Sequence, residues 1–341
     1  MTTLVATRRR NGLRYAVVLA GLTAAVIAVL IFALCFGRYP IGAPDVVATL
    51  FGQGTPRTDY VVLRLRMPRA LTGLLVGAAL GLAGSIFQNI LRNPLASPDV
   101  IGVTAGSSLA ALLCIAVFGA SGFVLPAAAL TGGLATAGLI YLLAWRRGIT
   151  GHRLALVGIG VAAVLSSIVS YLITRSDTEI ATIALFWLTG SLNGVGWAEA
   201  ATAAAFLAVL VPVALVLGRV LAALQLGDEV ARGLGLRVEW CRLGLLAVAV
   251  ALAGVATAVA GPVAFVAFVS GPISVRLLRT GRPSLLPAAM TGALVTLVAD
   301  LAAQHLFSGA VLQLPVGVVT GAVGAPYLLY LLAVANRRTR A

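Results

Sequence analysis

Charged side chains are sparse along this chain and divide it into long apolar stretches, so its elements are read as apolar windows between polar or Gly/Pro-rich breaks. A helix needs roughly 20 apolar residues to cross a ~30 Å hydrocarbon core, and only helices or closed barrels satisfy their backbone polar groups there. Ten windows occur, at about 15–36, 69–89, 100–119, 123–145, 153–174, 197–218, 242–261, 263–278, 284–307 and 315–335. They predict an all-α, polytopic integral membrane protein of about ten transmembrane helices. One transmembrane domain, 15–335, is expected between short tails at 1–14 and 336–341, with a long polar loop at 219–241. The first window follows Arg8, Arg9, Arg10 and Arg14, as in a secretory signal. Its apolar stretch is too long for a signal core and no small-residue cleavage site follows, so it reads as a retained first helix.

Composition removes the soluble alternative: 60% of the 341 residues are hydrophobic and 10% are charged, against about 25% charged in an average soluble domain. The 24 basic residues are all Arg, against 10 acidic ones. Without Lys there is neither a phosphate-binding P-loop nor a Schiff-base lysine, so the chain does not hydrolyse ATP through such a loop. The net charge of +14 sits between apolar runs and not on a soluble basic face, which marks topology and not nucleic-acid binding. With the N-terminus in the cytoplasm, the inner segments carry eighteen arginines: four in the N-terminal tail, Arg92, three at 146–153, four at 219–242, three at 276–282 and three in the C-terminal tail. Six remain outside. Both termini are therefore expected in the cytoplasm of a multi-pass inner-membrane protein. Three Cys and two His lie far apart, giving neither a disulfide framework nor a metal-ligand cluster.

Gly73, Gly77 and Gly81, then Gly102 and Gly106, then Gly317 and Gly321, recur at four-residue spacing, which marks tight helix contacts. Arg64, Arg66 and Arg69 precede the second window on the outer side, against the charge rule. Interfacial snorkelling is one explanation; docking of an acidic external partner by guanidinium forks is the other. Asn93-Pro94-Leu95-Ala96-Ser97-Pro98-Asp99 interrupts the chain with two prolines, so it lies in protein or beside water. It reads either as a rigid turn or as a cytoplasmic constriction. In the inner loop, Asp228 and Glu229 favour a helix N-terminus, Arg232 stands at i+4 from Asp228, and Gly233 or Gly235 can close the helix in a left-handed cap. Such a short helix, flanked by Leu224, Leu226 and Leu234, suits a protein partner better than a lipid surface.

Together these segments resemble the FecCD family. The similarity runs through Arg66-Met-Pro-Arg69, Gly77 to Gly84, Gln88, Arg92 to Pro98 and Ile101 to Gly106. It continues through Leu226 to Gly235, Ala260 to Val266, Asp300 and Leu314 to Thr320. The family comprises permease subunits of ATP-binding-cassette importers for ferric siderophores, haem and vitamin B12. The resemblance implies ten helices per subunit, a second FecCD-type permease, two cytoplasmic ATPases that bind ATP and Mg, and an extracytoplasmic binding protein. By position it implies binding-protein docking at Arg66 and Arg69, joined here by Arg64. It implies a cytoplasmic gate at Asn93, Pro94 and Leu95, joined by His152 at the start of the fifth window. ATPase coupling falls to Leu226, Gly227, Asp228, Glu229, Ala231, Arg232 and Gly235. No cofactor and no metal are expected on this chain. Departures occur where many members carry Pro-His ahead of Arg276, Arg at Gln304, Glu at Gln313, and a Ser/Thr pair at Gly151-His152. Ala299 to Phe307 with Gln313-Leu-Pro315 is most similar to the ferric-enterobactin branch, whose members usually form heterodimers.

The expected function is alternating-access import of a ferric siderophore or related chelate, with no covalent chemistry on this chain. The alternative is a proton-coupled secondary transporter relaying through Asp300, the acid expected near mid-span, with Gln304 one turn on. In an importer Asp300 is structural or lines the path, and Asp300→Asn is expected to keep much of the uptake.

Overall fold

The structure, a computed structural model, describes residues 2–37, 39–119, 124–145, 151–279, 284–306 and 314–338. Helix α1 spans Thr2–Cys35, and two short helices follow, α2 (Ala43–Leu50) and α3 (Pro56–Asp59). A π-helical segment, Tyr60–Arg66, carries α3 into α4 (Met67–Ile90). Next come α5 (Pro98–Ile101), α6 (Val103–Phe118), α7 (Val124–Ala144), α8 (Gly151–Arg175) and α9 (Thr178–Leu188). The chain continues through α10 (Trp197–Leu224), α11 (Asp228–Gly233), α12 (Val238–Ala260), α13 (Val266–Leu278), α14 (Leu285–His305) and α15 (Val316–Arg338). No strand occurs among the described residues.

Every predicted window overlaps a helix. Seven helical stretches are long and apolar enough to cross a bilayer, whereas α6, α9, α13 and the Val316–Leu331 part of α15 are apolar but shorter. Helix α9 lies outside every predicted window: its 11 residues, between Asp177 and the Gly190 turn, are too few to register as a span. The third window is split, because Gly102 at φ +93° ends α5 and starts α6 in a conformation that favours glycine.

Helix α4 is the hub. Its most apolar stretch is 78% buried, against 11% for those of α1 and α8. Glycines explain how its neighbours approach so closely: a Cβ on Gly77 would sit 2.4 Å from the Gly292 carbonyl oxygen, and one on Gly84 1.8 Å from that of Ala267. The predicted small-residue ribbon on α4 is thus a backbone-to-backbone contact with α13 and α14. Gln88, buried on the same helix, crosses to donate to the Phe268 carbonyl at 2.9 Å.

Segments that the charge rule assigns to one side meet at one end of the bundle. Arg92 donates to the Leu224 carbonyl, Asp228 pairs with Arg242, and Gly151 packs on Leu91. At the opposite end Arg66 reaches Leu34 and Tyr39, Trp197 donates to the Leu63 carbonyl, and the Phe36 and His305 rings lie 4.8 Å apart. That alternation is what helices crossing back and forth produce. The predicted arginines 146, 147, 282 and 340, and Gln313, lie outside the described residues.

Candidate functional site

At the outer end a cleft of about 500 Å³ opens between the start of α4, the end of α14 and the end of α1. The three predicted docking arginines all line it, but with different surroundings. Arg64, on the π-helical segment, is exposed. Arg66 is half-buried, its guanidinium donating to the carbonyls of Leu34 at 2.6 Å and Tyr39 at 2.5 Å. Those bonds fasten the loop after α1 to the helix that leads into α4. Arg69 turns inward to Asp300: its Nη2 lies 2.7 Å from Oδ1, and its Nε lies 3.2 and 3.0 Å from the two carboxylate oxygens. The side chains of Arg69 and Asp300 are 14% and 6% exposed. Gln304, one turn further along α14, donates to the second carboxylate oxygen at 2.7 Å.

The arrangement gives Asp300 a partner and the three arginines different surroundings. Expected near mid-span, Asp300 stands instead near the outer end of α14, five residues before His305; a poorly exposed acid there needs a partner, and that partner is Arg69, 231 residues away in sequence and invisible to any local pattern. Its oxygens are held by a guanidinium and an amide, and nothing in the site supports the proton-coupled alternative. Of the three arginines only Arg64 stands open at the rim; Arg66 and Arg69 build the cleft itself. The Gln304 amide stands where an Arg would add a second cation beside Asp300.

At the inner end, α4 stops in a turn opened by Arg92 at φ +49°. The Asn93 side-chain oxygen accepts from the Leu95 N–H at 2.9 Å, a local Asx bond that fixes the turn. Asn93 and Pro94 are exposed and Leu95 is half-buried. His152 is exposed on the first turn of α8, beside Gly151, where a Cβ would lie 3.1 Å from Leu91 Cδ2. Asp99 follows in α5; burial pushes its carboxyl above the ordinary carboxylate range, and the Thr104 hydroxyl, donating at 2.5 Å, opposes the shift.

The expected short helix in the inner loop is α11. Asp228 and Glu229 occupy its first turn, where the helix dipole favours acids. Gly235 at φ +82° closes it, with Gly235 N–H donating to the Arg232 carbonyl and Leu236 N–H to that of Ala231. The anticipated i, i+4 partner of Asp228 was Arg232; the observed partner is Arg242, at 3.1 Å from the first turn of α12. A six-residue helix offers little side to run along, whereas the start of α12 lies directly against its acidic end. Ala231 is buried and anchors the helix, Gly227 is half-buried at φ +113°, and Arg232 is exposed. Leu226, Val230, Leu234 and Trp240 are 65%, 49%, 63% and 69% exposed, an apolar surface on and around the short helix.

Sequence reasoning missed what joins the Asn93 turn to this loop. Arg92 Nη2 donates to the Leu224 carbonyl at 2.9 Å, and the Gln225 amide donates to the Asn89 side-chain oxygen. The end of α4 is thereby tied to the end of α10, three residues short of α11. In the sequence Arg92 counted as an inner-side charge and as the first residue of a family motif, neither of which points to the Leu224 carbonyl. Among the described residues no group of three His, Cys, Asp or Glu side chains assembles that could hold a metal ion.

An all-helical bundle with a basic outer cleft, an Asx-fixed inner turn and an exposed apolar helix on its inner loop defines a polytopic transport permease of the cytoplasmic membrane. A profile of the FecCD transport family matches residues 25–334, and the chain belongs to that family. It is 42% identical over 308 residues to the ferric enterobactin transport system permease protein FepG of Escherichia coli, covering 90% of this chain and 93% of FepG. It is 37% identical over 320 residues to the iron(3+)-hydroxamate import system permease protein FhuG of Bacillus subtilis, covering 91% and 95% of the two chains. A solved metal-chelate-type ABC transporter in an inward-facing conformation superposes with a TM-score of 0.82 at 30% identity, covering 94% of this chain and 99% of that one.

Proposed function

We propose that this chain is one of two transmembrane subunits of an ATP-driven importer that takes up a ferric siderophore or a related iron chelate by alternating access. The observation that carries this reading is a chain-long FecCD match coinciding with two separately built ends, one basic and one projecting. FepG and FhuG, the relatives named above, are both iron-chelate permeases by name. The chain performs no covalent step; ATP and Mg are bound and ATP is hydrolysed on two partner ATPases.

Each end has a role. Arg64 at the open rim meets acidic side chains of an extracytoplasmic binding protein, while the clamped Arg66 and the paired Arg69 hold the rim in shape. Helix α11 offers Leu226, Val230 and Leu234 to the ATPase, with Asp228, Glu229 and Arg232 setting its orientation. Movement of α11 pulls on α10, and the Arg92 and Gln225 bonds pass that pull to the turn Asn93 to Leu95 beside His152, which acts as the gate. A second FecCD-type permease, a different chain and not a copy of this one, completes the path. Helix α8 supports that requirement: its exposed face mixes Ser166, Ser167 and Ser170 with Val164, Ile168 and Tyr171, which suits a subunit contact or a wet path better than lipid.

The test is competition for uptake in cells that depend on this chain, using a panel of ferric catecholates, ferric hydroxamates, ferric citrate, haem and cobalamin. Competition by one class of ferric chelate supports the proposal. Competition by haem or cobalamin alone overturns the substrate assignment.

A further inference from the structure

A second cleft, of about 620 Å³, lies between the cytoplasmic ends of α1, α10 and α14. Its floor is apolar, formed by Leu215, Leu221, Leu285 and Leu286, and Arg219 and Tyr15 stand at its edge. None of the described residues lining it is acidic. Arg219 is exposed, and Arg14, next to Tyr15, is half-buried on α1. Val216, one turn before Arg219 towards the bilayer, is 62% exposed. The charge rule puts this end of the bundle in the cytoplasmic leaflet, where anionic headgroups lie and where Tyr side chains favour the interface.

We infer that this cleft binds an anionic phospholipid of the cytoplasmic leaflet, its phosphate against Arg219 beside Tyr15 and its acyl chains on the apolar floor and along Val216. A cation beside an apolar floor matches both halves of such a molecule, whereas a free phosphate uses only the first. The site is placed to matter. Leu226 lines the cleft and immediately precedes Gly227, the N-cap of α11, and Gln225, also in the lining, carries the bond to Asn89. A bound lipid therefore braces the segment from which α11 projects, whatever partner α11 meets.

Native mass spectrometry of the purified full chain, delipidated and titrated with phosphatidylglycerol or phosphatidylethanolamine, tests the site without requiring transport. The wild type should retain one tightly held phosphatidylglycerol per chain, and phosphatidylethanolamine should be held less tightly. Arg219→Gln removes one interfacial cation and should weaken that binding about fivefold. Ala222→Trp fills the cleft with no change of charge and should abolish the retained lipid, so loss of a cation and loss of space are read separately. Equal retention by the wild type and both variants would overturn the inference. So would equal affinity for the two lipids, or displacement by millimolar inorganic phosphate.

Discussion

Replacing Asp300 by Asn probes the junction that holds α4 against α14. The substitution keeps side-chain shape and removes one charge, which leaves the Arg69 guanidinium facing an amide. Exposed ion pairs contribute about 0–1 kcal/mol, whereas removing one partner of a buried pair costs roughly 3–5 kcal/mol because the other charge is left uncompensated. The side-chain exposures of 14% and 6% and the two-pronged contact place this pair in the second class. The open cleft beside Arg69 admits some solvent, so the cost is expected near the lower limit, about 3 kcal/mol. Arg69→Gln should cost a similar amount by stranding the carboxylate. In Arg69→Gln with Asp300→Asn no charge is stranded, and the double variant should recover most of the loss: two single costs of about 3 kcal/mol against a double cost of about 1 kcal/mol give a coupling energy of about 5 kcal/mol. Thermal melts in detergent, followed by circular dichroism at 222 nm, should rank wild type and double variant together above both single variants. Single variants that melt with the wild type, or a double variant that falls by the sum of the two, would refute the buried-pair argument. Uptake by Asp300→Asn should fall in step with the folded fraction and not vanish.

Gly84→Val places atoms inside the Ala267 backbone and should lower the yield of folded protein sharply, by a cost above about 2 kcal/mol. Gly21→Val on α1, where a Cβ meets nothing within 4 Å, should leave fluorescence-detected size-exclusion profiles unchanged. Asp228→Lys with Glu229→Lys reverses the charge at the start of α11 and breaks the Arg242 pair; co-purification of the ATPases should be lost while membrane insertion persists. Arg64→Glu should weaken binding-protein docking about tenfold at low salt and less at high salt, as expected of a rim charge, measured by surface-immobilised binding.

The helices were legible because each apolar window states its own length, and α11 was legible because acids, a short run and Gly235 mark a helix locally. Helix α9 was not, since its 11 residues fall below the span length used to read the chain. The Arg69 and Asp300 pairing could not be read, because it joins residues 231 apart and depends on how closely α4 and α14 pack. For the same reason Arg64, Arg66 and Arg69 looked equivalent in sequence, although the fold gives them three different surroundings. Arg242 displaced the expected Arg232 partner because the turn after α11 folds the next helix back onto its acidic end. The motif residues around Asn93 pointed to the turn itself, while the bonds from Arg92 and Gln225 that tie it to α10 required the tertiary structure.

The most direct measurement of the central claim is uptake of a radiolabelled ferric siderophore into proteoliposomes. These contain this chain, its partner permease and the ATPases, with the binding protein on the side where Arg64 lies. The proposed importer accumulates the chelate when ATP is supplied to the ATPases without any pH gradient, and does nothing with a gradient alone. Accumulation driven by the gradient in the absence of ATP, and lost in Asp300→Asn, would contradict it.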